Sequence, residues 1–233
     1  MTAVAQPAKP PVLGVLLAGG RSERMGGGDK CLRTLAGRTL LARVIERARP
    51  QVAKLVLRAM GDPTRFAAYG LPVINKSISE IAEIKGRGAF ASLLVAMEWA
   101  AVNAPELPWV ASFPTDSPFF PTDLVSRLLN AVETRGVDIA CAQCDGYIHP
   151  VFGLWPVTLA GELRRLLADN ADPNFGHILL HRRGPKAFVT FPSRDLPPFL
   201  NINRPEDLAT AERLLGEQAA RLLAQSYGKV LKF

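Results

Sequence analysis

No run of the sequence stays apolar for the roughly 18 residues that a membrane-spanning helix needs. The opening MTAVAQPAKPP lacks the apolar stretch of a secretory signal. Cysteine is scarce: three residues, an odd number and too few for a disulfide framework. Aromatic residues make up 7% of the chain, which leaves no obvious base-stacking platform. The net charge is +7, yet Lys and Arg are scattered, with short clusters only at Arg182-Arg183 and near the end. No basic tract of the kind that binds nucleic acid is present. These absences argue against a membrane or nucleic-acid partner. They favour a cytoplasmic protein whose positive charge serves a small phosphorylated ligand.

Two of the cysteines form CAQC, Cys141 and Cys144, and GHILLH sets His177 and His181 four residues apart. A Cys₂His₂ zinc site uses the same residue types, but the gap between the pairs is longer than in a finger. In a buried strand VDIACAQC, alternation points Cys141 and Cys144 to opposite faces. Core cysteines are therefore expected.

What the chain does have is alternating strand and helix. PVLGVLLA (11–18) is a continuous apolar run, as in a strand buried on both faces. A helix is expected in TLLARVIERAR, a strand in KLVLRA (54–59) and a short strand in LPVI (71–74). GAFASLLVAMEWAAVN (88–103) reads as a helix and WVASF (109–113) as a strand ending at PTDSP. TDLVSRLLNAVETRG follows as a helix stopped by Gly136. VDIACA and VFGLW read as strands flanking QCDGYIHP, LAGELRRLLADN as a helix, AFVTF as a strand and RPEDLATAERLLGEQAARLL as a final helix. This alternation predicts one α/β, Rossmann-like domain, with a mostly parallel, mixed sheet and helices on both faces. Its expected bounds are 12–226, with a disordered lead at 1–11 and a tail at 227–233.

Ligands of such sheets bind at the carboxyl ends of the strands. The first strand runs into LLAGGRSERMGGGDK (16–30), rich in glycine and cations. A Walker loop would require Ser or Thr after the lysine, where Cys31 stands. The dinucleotide pattern G-x-G-x-x-G is missing, and Arg58 occupies the end of the second strand where an acidic residue would bind ribose. The remaining phosphate-binding loop is that of the sugar-nucleotide pyrophosphorylases and their relatives. In such a loop Leu17, Ala18, Gly19 and Gly20 present backbone N–H groups to phosphate oxygens. Arg24 offers a planar fork to the β- and γ-phosphates and Lys30 a point charge to the α-phosphate.

LAGGRSERMGGGDK closely resembles the opening motif of the molybdenum cofactor guanylyltransferases. The likeness continues in TLLARVIERARPQV, FPTDSPFFPTDLVSRL, HPVFGLWP and FLNINRPEDL, spread from residue 13 to 210. The resemblance implies a nucleotidyltransferase that moves GMP from GTP onto the terminal phosphate of molybdopterin, releases pyrophosphate and depends on Mg²⁺. It also implies hand-over of the product to a molybdoenzyme chaperone.

Asp116, at a strand end between two prolines, is the expected catalytic carboxylate and Mg²⁺ ligand; its other reading is an Asx turn. Asn203 is either a second metal ligand or an N-cap paired with Glu206, and Asn201 is its alternate on the acceptor side. His149 of YIHPV matches a His-Pro beside the family's acceptor site. Asp123 is expected to be a first-turn residue favoured by the helix dipole.

Two segments depart from the family pattern. Asn75 and Lys76 stand where an aspartate would accept from guanine N–H groups, followed by GAFAS in place of a Gly-Pro-Leu-Ala-Gly turn. Asn75 supplies only an amide carbonyl there. DNADPNFGHILLHRRGPKAF replaces a Gly-x-Arg segment near the pterin side. A different nucleotide such as CTP, a different phosphorylated acceptor, or a non-catalytic nucleotide-binding role are the alternatives these departures raise.

Overall fold

A computed structural model describes residues 9–19, 27–75, 88–169, 184–193 and 196–230, with side chains to residue 221. Gly20, Arg24, Lys76, His177 and His181 lie outside the described residues.

The first strand, β1 (Val12–Ala18), is buried along its length. Its even-numbered side chains Val12, Leu16 and Ala18 enter one core layer, and Leu13, Val15 and Leu17 enter the other. That two-sided burial is why the run is apolar at every position. A small hairpin follows, β2 (Thr34–Leu35) and β3 (Arg38–Thr39), then α1 (Leu40–Ala48), capped by Thr39 Oγ1 accepting from Ala42 N. Next come β4 (Lys54–Ala59), β5 (Val73–Ile74), α2 (Gly88–Asn103) and β6 (Trp109–Pro114). α3 (Leu124–Arg135) ends at Gly136 in the left-handed conformation, the expected stop. β7 (Ile139–Cys144), β8 (Tyr147–Pro156), α4 (Ala160–Asp169), β9 (Lys186–Thr190) and α5 (Pro205–Val230) complete the order.

The main sheet has seven strands in the order β5-β4-β1-β6-β8-β7-β9. Pairing is parallel except on both sides of β8, which runs against its neighbours. Helices α1 and α3 pack on one face, α2 and α4 on the other. The mixed sheet with two helical layers is the architecture expected.

Several local expectations need correction. VFGLW is only the second half of β8. The strand begins at Tyr147, because Asp145 (φ 49) and Gly146 (φ 82) make a two-residue turn that folds QCDGYI into a hairpin with β7. β5 is shorter than 71–74, and α5 runs on to Val230, past the expected helix end at residue 223. Pairing slips from Cys141–Gly153 to Ala142–His149, so Pro150, Val151 and Phe152 bulge out of β8. Ser112 Oγ pins the bulge by donating to the Val151 carbonyl at 2.7 Å. Cys141 and Cys144 face opposite core layers, as alternation requires. Among the described residues no three His, Cys, Asp or Glu side chains are grouped to hold a metal. No described helix is long and apolar enough to cross a membrane.

Candidate active site

Four strand ends, β1, β4, β5 and β6, deliver their following residues to one edge of the sheet because they run parallel. The amino end of β8 reaches the same edge because that strand is reversed. Gly19, Met60, Asn75, Asp116 and His149 therefore share an edge by topology.

The loop re-emerges at Gly27 and Gly28, both at positive φ (83 and 77), a conformation that disfavours other residues. Lys30 then opens a short 3-10 turn, Lys30–Leu32. Its ammonium is held from three sides. Asp116 Oδ2 accepts at 2.6 Å, Asn203 Oδ1 accepts in a close contact, and Asn201 Oδ1 lies at 3.4 Å. Every proton of the ammonium thus has an acceptor. The lysine expected as a point charge for the α-phosphate is largely buried, with 11% of its side chain exposed.

Asp116 is half-buried rather than exposed. Thr115, just before it, donates from Oγ1 to the Leu17 carbonyl and ties the end of β6 to β1. Ile202 N donates to the Asp116 carbonyl at 2.8 Å, which brings the 201–203 segment against the carboxylate. Asp116 Oδ1 is buried and has no hydrogen-bond partner among the described residues. A buried carboxylate oxygen without a donor, beside an amide oxygen, is a hard-oxygen set that suits a divalent cation such as Mg²⁺ or Mn²⁺.

Asn203 does not cap α5. Arg204 precedes the helix, and Asp207 Oδ2 accepts from the N–H groups of Asn203 and Arg204, at 2.8 and 2.9 Å. Asp207, not Glu206, closes the cap, which frees the Asn203 side chain for Lys30. Neither Asn201 nor Asn203 lies on a strand; both belong to an extended connection anchored by buried Ile202. Asp123 takes the position before α3 without a side-chain cap bond.

A cleft of about 430 Å³ opens beside this cluster, lined by Leu17, Gly19, Met60, Ser92, Asp116 and Asn201 among others. Asn75 borders an adjoining recess with Met60, Gly61 and Asp62, so half-exposed Met60 separates the two. Val151, carried outward by the bulge, reaches the cleft, while His149 packs its ring on Phe199 at 4.6 Å. Burial lowers the His149 pKa and keeps the imidazole neutral. Cys31 is no nucleophile: burial, reinforced by the Asp29 charge, pushes its thiol up to about 12.

Arg58 was passed over in the sequence except as a misfit. It is 1% exposed, pairs in register with cleft-lining Leu17, and donates from Nη1 to the carbonyls of Ala59 and Ile74. Its Nε and Nη2 have no partner among the described residues. A charged residue at the end of the apolar run Leu55–Leu57 was the available signal.

A glycine-rich loop after β1, a lysine at its end and a carboxylate after β6, on one edge of this sheet, define a nucleotidyltransferase of the Rossmann-like α/β class. The model of the MobA-like NTP transferase domain matches residues 14–186. The chain is 46% identical over 206 residues to a molybdenum cofactor guanylyltransferase of Rhodopseudomonas palustris (strain BisB5), covering 88% of this chain and 94% of that one. The chain belongs to the molybdenum cofactor guanylyltransferase family. Its fold matches that of molybdopterin-guanine dinucleotide biosynthesis protein A from Archaeoglobus fulgidus, with TM-score 0.67, 22% identity and coverage of 88% and 99%. It also matches a manganese complex of Rv0371C from Mycobacterium tuberculosis H37Rv, with TM-score 0.62, 20% identity and coverage of 87% and 98%.

Proposed function

We propose that the chain moves GMP from GTP onto the terminal phosphate of molybdopterin, in the cytoplasm where GTP is supplied. An oxygen of the acceptor phosphate attacks the α-phosphorus, the bond between the α-phosphorus and the bridging oxygen breaks, and pyrophosphate leaves. The observation that carries this reading is the meeting of Lys30 with Asp116, Asn201 and Asn203, drawn from three distant stretches of sequence.

Transfer of this kind asks chiefly for alignment and charge neutralisation. Backbone N–H groups of the Leu17–Gly20 stretch cradle the phosphates, and Arg24 joins them. Lys30 leaves its acceptors for the α-phosphate, where negative charge grows during attack. Asp116 and Asn203 would hold a divalent ion, which when bound would neutralise charge on the triphosphate. Asn75, on the recess it shares with Met60, forms the base end. His149 and Asn201 serve the acceptor, and the product passes to a molybdoenzyme chaperone.

Asn75, an amide where a carboxylate would read guanine, favours one second reading, CTP as the donor. Pyrophosphate release with each ribonucleoside triphosphate and Mg²⁺, with and without molybdenum-loaded molybdopterin, decides between them. Turnover with GTP only in the presence of the acceptor upholds the proposal. Turnover with CTP moves the reading to the second donor, and nucleotide binding without turnover overturns the transfer.

A further inference from the structure

Asp29, the residue before Lys30, is gripped by an arginine 36 positions away in sequence. Arg65 Nε donates to Asp29 Oδ2 at 2.5 Å and Nη2 to Oδ1 at 3.3 Å. The same guanidinium donates from Nη1 to the Asp62 carbonyl and from Nη2 to the Met60 carbonyl, both in close contacts. Arg65 sits in the 3-10 turn Pro63–Tyr69, whose start is capped by Asp62 accepting from Thr64 N at 2.9 Å. Its guanidinium stacks over buried Phe66, 4.5 Å from the ring centroid. Arg65 is thus anchored at its base and engaged at its fork on both sides. Only about a quarter of each partner's side chain is exposed, at 28% and 27%.

We infer that Arg65 is a positioning residue for nucleotidyl transfer. Through Asp29 it fixes the backbone from which Lys30 reaches the triphosphate, and through the Met60 and Asp62 carbonyls it locks that backbone to the turn beside the base end. Arg33, donating from Nη2 to the Gly27 carbonyl at 2.7 Å, holds the other flank of the same short stretch. Backbone bonds from Leu32 N to the Asp29 carbonyl and from Arg33 N to the Lys30 carbonyl make it move as one piece. A rotation at Asp29 therefore displaces the Lys30 ammonium, and misplacement of a catalytic charge by about 1 Å costs as much as 10²-fold in rate. A lysine at position 65 carries the charge but cannot make the forked contact to Asp29 and two carbonyls.

The inference rests on the assignment of Lys30 to the triphosphate. The test is steady-state pyrophosphate release for Arg65→Ala, Arg65→Lys, Asp29→Asn, the Asp29→Asn/Arg65→Ala double variant and Lys30→Ala, alongside thermal melts. Arg65→Ala and Asp29→Asn are each expected to lower kcat at saturating GTP about 10-fold, at an assay temperature where all variants remain folded. Arg65→Lys is expected to fall between wild type and Arg65→Ala, and the double variant to be no worse than its poorer parent. Normal kcat in the folded Arg65→Lys and Asp29→Asn proteins, or losses that multiply in the double variant, would overturn it. An active Lys30→Ala enzyme would instead remove the assignment on which the inference stands. An inactive Lys30→Ala enzyme beside fully active Arg65 and Asp29 variants would remove the inference alone.

Discussion

The ammonium of Lys30 lies 2.6 Å from the carboxylate of Asp116, so the cation assigned to the triphosphate and the carboxylate assigned to a metal neutralise each other. Lys30→Met should lower turnover about 10²-fold or more, the scale for removing one preorganised charge from a transition state. The same change takes a competing cation away from Asp116. Binding of Mn²⁺, followed by electron paramagnetic resonance, should therefore be kept or tightened; its loss would show that Lys30 holds the carboxylate in place.

Asn203 touches Lys30 more closely than Asn201 does. Asn203→Ala should raise the Mg²⁺ concentration needed for half-maximal rate by about 10-fold, within the range seen when a group supporting a metal is removed. Asn201→Ala should shift it less. A metal titration of both variants at saturating nucleotide separates them, and equal shifts would count against the Asn203 assignment.

The start of α5 is a test of stability rather than chemistry. Asp207→Ala removes the acceptor for two backbone N–H groups and should cost about 1 kcal/mol. Glu206→Ala should be silent to within about 0.5 kcal/mol, as for an exposed residue without partners at a cap. Urea unfolding of the two variants gives the comparison, and a larger loss for Glu206→Ala would restore the capping box read from the sequence.

His149 is held neutral by burial, so its folded pKa lies below its unfolded value. The unfolded chain then takes up a proton first as pH falls. His149 leaves stability untouched above the unfolded pKa of about 6.5 and subtracts from it as pH drops from there through the lower folded value. His149→Phe keeps an aromatic ring against Phe199 and should flatten the decline of Tm between pH 7 and 5. An unchanged slope would mean that another group dominates acid unfolding.

Two buried nitrogens of Arg58, Nε and Nη2, have no acceptor among the described residues, an arrangement that costs stability. Arg58→Met should leave the melting temperature unchanged or higher. A lower melting temperature would show that the bonds from Nη1 to the Ala59 and Ile74 carbonyls outweigh that cost.

Much of the scaffold was legible because burial writes itself into the sequence. β4 and α2 fall where apolar runs place them, since β4 is buried on both sheet faces and α2 is buried along most of its length. The hairpin before His149 was missed although its Asp-Gly signal was there, because the bulge at Pro150 interrupts the alternation that marks one continuous strand. Lys30, Asp116 and Asn203 were each legible as types, but not their mutual contact. That contact depends on Ile202 docking its backbone on Asp116, and a lone isoleucine in a connecting segment announces no partner. Capping by Asp207 and the burial of Arg58 were hidden for the same reason: each follows from tertiary packing, not from local pattern.

Lys30 and Asn203 are 173 residues apart in the chain, and both asparagine acceptors come from the segment just before the final helix. While the polypeptide is being synthesised, everything through β9 can be present with the lysine still missing two of its three acceptors. The charge cluster thus assembles only after residues 201–203 have left the ribosome. Copies that end before residue 201 would carry Lys30 with Asp116 as its one remaining acceptor of the three.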